Sequence, residues 1–126
     1  MGMEHPAYSQ LRPVTDNAGV VLAPNPSYSS LEGTNSWVIR GENDRVCVIV
    51  DPGPEDEGHL NVLNTKATGT AEAPVEIALV LLTHRHGDHA GGALRFRQIT
   101  GAPVRAVDSH YCYGAEPLQP GEVIRI

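Results

Sequence analysis

Long apolar runs are scarce in this chain. The longest, Ile77 to Leu82, is strand-sized and far below the ~18 residues that a membrane span needs. The amino terminus shows no basic stretch followed by an apolar segment, so no secretory signal is visible. The expected location is cytoplasmic, with no membrane partner. Aromatic residues are sparse at 5%, with one Trp and one Phe, so the core must be built from Val, Ile, Leu and Ala. Two cysteines, Cys47 and Cys112, do not make a disulfide framework and read as reduced thiols. Positive charge is also short: 9 Lys and Arg stand against 15 Asp and Glu, for a net charge of −6. That balance argues against a broad basic face for nucleic acid. There is no internal repeat, no P-loop, no G-x-G-x-x-G and no G-x-S-x-G, which removes phosphate-cradle and serine-hydrolase readings.

What is present suits one packed domain. A chain of 126 residues buries roughly two thirds of its unfolded surface. The apolar share of 40% and charged share of 19% are those of a globular protein. Thirteen glycines and 10 prolines favour a strand-rich and loop-rich fold over a helical bundle. Leu11 to Val14 and Val20 to Leu22 read as short strands, followed by the turn-rich loop NPSYSSLEGTN. Asn35 to Arg40 and Arg45 to Asp51 flank a Gly-Glu-Asn-Asp turn and read as an antiparallel hairpin. Asp51-Pro52-Gly53-Pro54 stops the second arm. Glu55 to Lys66 reads as a helix with an acidic first turn and His59, Leu60, Val62 and Leu63 facing inward. Glu76 to Leu82 has the continuous apolar pattern of a strand buried on both faces. A second helix is expected from His89 to about Ile99, halted by Gly101 and Pro103, then strands at Val104 to Val107 and from Val123 to Ile126. Strand–helix–strand behind a hairpin is a mixed α/β pattern.

One stretch outweighs the rest: ALVLLTHRHGDHAGG. His84, His86, Asp88 and His89 fall within six residues, a spacing rare by chance. Neutral imidazole and carboxylate suit Zn²⁺ and its first-row neighbours. In an extended loop, positions i and i+2 project to the same side, so His84 and His86 are expected to grip one ion. Asp88 and His89 follow as the chain turns into a helix and point at a second position nearby. Gly87 permits the turn. Gly91 and Gly92, expected in the first helical turn, cost about 1 kcal/mol each against Ala, which points to close packing against the loop. Two adjacent ions would lower the pKa of a shared water towards ~7.

THRHGDHAGG resembles the metal motif of the metallo-β-lactamase fold hydrolases. NPSYSSLEGTNSWVIRG followed by VCVIVDPG resembles the front of that fold, in the branch that contains lactamase-β-like endoribonucleases and hydroxyacylglutathione hydrolases. The resemblance covers about residues 20 to 126. It implies an α/β fold: the N-terminal half only of a metallo-β-lactamase-like αββα sandwich, a mixed sheet with helices on one face. Residues 1–126 would form that half, with residues 1–10 a tag remnant and flexible leader. The resemblance implies His84 and His86 as ligands of a first zinc ion and Asp88 and His89 as ligands of a second, with Mn or Fe as alternatives. Asp51 would support the metal loop from behind by accepting a hydrogen bond from its backbone or from a His N–H. Without the family, a plain turn Asp before Pro-Gly is an equal reading.

The family pattern also has later motifs: a third His for the first ion, a bridging Asp and a final His. After His89 this chain holds one His, His110, which lacks that context and is expected at the surface near the site mouth; the H-x-C pair that it forms with Cys112 is a weak motif. With two ligands per ion, binding should be loose, and the sheet should expose one apolar face. The expected partners are a small-molecule substrate or RNA, together with a second copy of the chain or the missing C-terminal half. The function implied is a metal-dependent hydrolase in which a metal-activated hydroxide, oriented by Asp88, attacks an ester, thioester, lactam or phosphodiester. This stretch alone should have little activity. The alternatives are an endoribonuclease, disfavoured by acidity and few stacking aromatics, and a non-catalytic metal-binding or interaction module. Trp37 is expected as a core anchor, Tyr28 and Ser29 as residues of a substrate-flanking loop, Arg85 as pointing away from the ions, and Arg95 and Arg97 as an exposed helix face.

Overall fold

The computed structural model describes residues 11–15, 17–22, 35–41, 45–53, 55–83 and 92–124. Strands β1 (Leu11–Pro13), β2 (Ala18–Leu22), β3 (Asn35–Arg40) and β4 (Val46–Val50) come first. Helix α1 (Glu57–Ala67), β5 (Glu76–Leu81), α2 (Ala93–Thr100) and β6 (Val104–Arg105) follow, then a 3-10 turn at Ser109–Tyr111. The six strands lie in one sheet in chain order. β1 to β4 pair antiparallel, whereas β4, β5 and β6 are parallel. A two-residue turn can link antiparallel arms, but parallel neighbours need a crossover, and α1 and α2 supply it.

The register explains where the helices sit. Val38 pairs with Ile49, Ile49 with Val80, and Val80 with Val104, and directly opposed residues share a face. This row packs with Leu60 and Leu63 of α1 and Phe96 of α2 in one buried cluster, so both helices cover the same face. The second face carries the row Val20, Trp37, Val50, Leu81 and Arg105. Trp37, Val50 and Leu81 are half-buried there, while Val20 and Val48 are buried. The sequence suggests an exposed apolar face, but these residues are buried or half-buried, and the exposed large apolar side chains among the described residues are Val14, Leu94, Val107 and Val123. Trp37 belongs to this second face and not to the helix-covered core.

The helices begin and end where side chains and glycines allow. Asp56 caps α1, its carboxylate accepting the His59 backbone N–H at 3.0 Å. α1 starts two residues later than the acidic run suggested because that cap fixes the first turn at Glu57. Gly92 is the residue preceding the first turn of α2, with φ −92° and ψ 1°, rather than an interior position. Gly101, at φ 78°, closes α2 by donating its N–H to the Arg97 carbonyl at 2.7 Å. Arg95 and Arg97 lie on the solvent side of α2, as expected, and are partly covered by their partners. Arg95 makes a forked pair with Glu57 at 2.8–3.0 Å, tying α2 to α1. The guanidinium of Arg97 lies against Gly114, where a Cβ would meet it at 2.6 Å.

The strand expected from Val123 is absent at Val123 and Ile124, and residues 125–126 lie outside the described residues. Arg105 instead clasps the segment before it. The guanidinium donates to the carbonyls of Glu116 and Pro117 and forks onto Glu122, which satisfies backbone acceptors that a strand partner would otherwise take. Among the described residues, no helix is long and apolar enough to cross a membrane. Phe96 is fully buried between the helices and the sheet. Phe96→Ala is expected to cost about 3–5 kcal/mol, read as a lowered midpoint in urea unfolding with an unchanged slope.

Candidate metal centre

Parallel strands deliver their carboxyl ends to one edge of a sheet, and ligand sites gather there. Here β4 runs into Asp51-Pro52-Gly53 and β5 into Leu82-Thr83. His84, Arg85, His86, Asp88 and His89 lie outside the described residues, as do Tyr28 and Ser29. The structure does describe both ends of the segment that carries the histidines, and the same turn holds each of them.

Asp51 holds the first end. It is 5% exposed and sits at φ 55°, in the left-handed region that non-glycine residues seldom enter. Its N–H donates to the Leu81 carbonyl at 2.9 Å, continuing the β4–β5 pairing by one bond. The turned backbone aims the side chain along the end of β5. One carboxylate oxygen accepts the Thr83 N–H at 2.8 Å, and the other accepts the Thr83 hydroxyl. Thr83 is the residue immediately before His84. Gly53 holds the second end. Its carbonyl accepts the Gly92 N–H at 2.8 Å, and Gly92 is the first described residue after the cluster.

A buried imidazole lies beneath this turn. His59, on the inward face of α1, is 4% exposed, and its Nε2 is 2.9 Å from Ser36 Oγ on β3. Gly53, at φ 94°, brings its Cα against the ring; a Cβ there would stand 3.4 Å from His59 Cδ2 and Nε2. Burial pushes the His59 pKa below its ordinary value, against smaller opposing effects from Asp56 and the Pro52 carbonyl. Among the described residues, the buried polar side chains are Ser36, Asp51 and His59, and all three gather at this turn. Sequence reasoning placed His59 inward but gave it no partner, and it missed Ser36. The available signal was a polar residue at an inward helical position, which demands a hydrogen bond.

The other candidates lie elsewhere. His110 is exposed, with its Nδ1 3.0 Å from Asp108 Oδ1. Cys112 turns its sulfur onto Ala106, 3.3 Å from the backbone nitrogen, and onto the Asp108 carbonyl at 3.7 Å, while His110 bonds to the Asp108 side chain. Cys47 is buried under α1, and burial pushes its thiol up to about 11, so it stays protonated and unreactive at neutral pH. Both cysteines are free thiols. Among the described residues, no group of three or more His, Cys, Asp or Glu side chains is placed to hold a metal ion.

Comparison with known proteins agrees with this architecture. The profile of the metallo-beta-lactamase superfamily matches residues 30–125. The chain is 39% identical over 72 residues to an atrochrysone carboxyl ACP thioesterase of Passalora fulva, covering 57% of this chain and 20% of that one. It is 37% identical over 68 residues to a hydroxyacylglutathione hydrolase of Pseudomonas putida, covering 54% and 24%. A beta-lactamase domain protein from Burkholderia ambifaria shares the fold with a TM-score of 0.62 at 21% identity, over 82% of this chain and 34% of that one. Across these curated relatives the chain spans only 20–24% of their length.

Asp51→Asn keeps a residue that tolerates positive φ but removes the charge that Thr83 binds. It is expected to cost about 1.5–3 kcal/mol, measured by urea unfolding. His59 gives a pH dependence of known sign. The unfolded ring protonates near 6.5, its ordinary value, and the folded ring only at lower pH. The unfolded state therefore binds more protons below that point, so stability is full above it and falls as pH drops through it. His59→Gln should flatten that acid limb in a series of urea midpoints.

Proposed function

The chain belongs to the metallo-beta-lactamase superfamily, and from that premise we propose that it forms part of a metal-dependent acyl hydrolase whose substrate is a thioester. The observation that carries this reading is the double anchorage of the histidine segment: Thr83 on Asp51 before it and Gly92 on Gly53 after it. Holding both flanking residues on one buried turn supports a ligand set between them, and ligand geometry depends on such support. His84 and His86 would hold one ion, and Asp88 and His89 a second. The donor set, imidazoles with one carboxylate, suits zinc. When bound, such ions supply Lewis acidity and water activation at neutral pH. Asp88 would orient the attacking water, and Asp51, one layer out, would keep Thr83 and the start of the loop in place. The thioester preference is supported by the relatives named as a thioesterase and as a hydroxyacylglutathione hydrolase.

Two ligands per ion from this stretch leave coordination positions for other groups. The same proposal therefore includes association, with a second copy or with the C-terminal half of the superfamily sandwich, over the face that carries Trp37, Val50 and Leu81. Endoribonuclease activity is the second reading. Its support is the sequence resemblance of the NPSYSSLEGTNSWVIRG segment, and the net charge of −6 weighs against it.

Metal analysis by dialysis against a fixed free-zinc concentration tests the ligand assignment. Wild type should bind zinc, and His86→Ala should bind half of it or less. Unchanged content in the variant removes His86 as a ligand. Turnover of an acyl thioester by the zinc-loaded protein, in preference to a β-lactam and to single-stranded RNA, is the expected specificity.

A further inference from the structure

We propose that a cavity on the helix-covered face of the sheet, where β1 and β2 meet the end of β3, binds a small aliphatic carboxylate: Arg40 receives its charge, and Leu11, Gly19 and Val38 receive its tail. The inference does not depend on the metal assignment.

The register assembles the cavity. Pro13 pairs with Gly19 and Gly19 with Val38, while Arg40, two residues on, pairs with Cys47. Paired residues share a face, and alternate residues along a strand return to it. Leu11, Pro13, Gly19, Val38 and Arg40 therefore lie on the side that α1 and α2 cover, where they line a cavity of about 230 Å³. Gly19 and Val38 are buried and form its floor. Leu11 forms a wall: a Cβ on Gly19 would stand 2.9 Å from Leu11 Cδ1, so the leucine lies directly over the glycine. Pro13, Thr15 and Asn17 also line the cavity and are exposed, which marks its mouth. Cys47 lies near the start of β4 and Val50 ends it. The Arg40 end of the cavity is thus turned toward the edge opposite the Asp51 turn.

The polar groups at the mouth offer donors. A guanidinium has five N–H groups and no acceptor. Among the described residues, no carboxylate pairs with Arg40, and its cross-strand neighbour Cys47 is a neutral thiol. Thr15 Oγ1 accepts the backbone N–H groups of Asn17 and Ala18 at 3.3 and 3.1 Å. A hydroxyl has two lone pairs and one O–H, so both lone pairs are taken and the O–H is left to donate. The Asn17 amide adds an NH₂. The Arg40 backbone N–H donates to the Asn17 carbonyl at 2.7 Å, which holds the end of β3 against this turn and brings the donors together.

A cation and a free hydroxyl donor beside an apolar floor suit one negative charge on an apolar body. A carboxylate can take the guanidinium fork on both its oxygens. Inorganic phosphate would bring more charge and no tail, leaving the floor unused. Size limits the tail. Drug-sized ligands need about 300–1,000 Å³. This cavity has the volume of about eight water molecules at ~30 Å³ each, room for an acid of about six carbons.

Titration of the full chain with hexanoate, without metal and followed by amide NMR, tests the inference. The resonances of Gly19, Val38 and Arg40 should shift together with a Kd of about 1 mM, while Thr83, beside the Asp51 turn, stays in place. 1-Hexanol has the tail without the charge, and acetate the charge without the tail. Each should bind about tenfold more weakly or worse. Arg40→Gln should weaken hexanoate about tenfold and leave hexanol unchanged. Arg40→Lys keeps the charge without the fork and should fall between. No shift at Gly19 and Val38 up to about 20 mM hexanoate overturns the inference. Equal binding of hexanoate and hexanol, or wild-type hexanoate binding by Arg40→Gln, does the same. Acetate that binds as tightly as hexanoate identifies an adventitious ion only and also overturns it. The hexanoate–hexanol comparison uses wild type alone, so it decides the matter even if Arg40→Gln does not fold.

Discussion

The Asp51–Gly53 turn is the constraint on which the rest of this site depends. It comes at the carboxyl end of β4, where a strand-ending residue must redirect the chain. Asp51 does so at φ 55°. A non-glycine residue in that region costs about 1–2 kcal/mol, and the carboxylate that the twisted backbone aims at Thr83 offsets it through two hydrogen bonds. Two residues on, Gly53 reaches the start of α2. Consecutive Cα atoms are 3.8 Å apart across a trans peptide, so the two anchors belong to one short stretch of chain. The segment with the histidines departs from it and returns to it.

The polar layer under the turn follows from the same geometry. A turn at the edge of a parallel sheet presents carbonyls to the interior, and each buried carbonyl needs a donor. α1 crosses beneath because β4 and β5 are parallel and need a helical connection. Its inward face therefore meets both the core and the turn. Leu60 and Leu63 serve the core. His59, one position earlier, reaches the turn and Ser36. A leucine at that position would leave the Ser36 hydroxyl without this partner.

Much of the fold is legible in the residue pattern. Asn35 to Arg40 was read with its observed boundaries, and the antiparallel pairing with β4 followed from two β-rich runs about a turn. β5 showed itself as an unbroken apolar run because its apolar residues are buried or half-buried on both faces. Less was legible at the ends of elements. α2 begins after Gly92, since that residue's N–H is committed to Gly53, 39 positions away in sequence and adjacent only in space. The segment at Val123 looked like a strand from its β-branched residues. Val123 and Ile124 lie outside any strand, and Arg105 ties down Glu116, Pro117 and Glu122 ahead of them, contacts that composition does not express. His59 was visible as inward-facing, but its partners on β3 and on the turn lie on other elements.

By itself, the sequence determined the class of fold and the order of its elements. Those are carried by periodicities and spacings a few residues long. Which side chains meet was decided only by the tertiary structure. Ser36, Asp51, His59, Thr83 and Gly92 come from five separate places in the chain and converge because parallel strands bring their carboxyl ends to a common edge while the helices pack on one face. Burial then makes each unpaired polar group costly, and that cost selects the partners that were found.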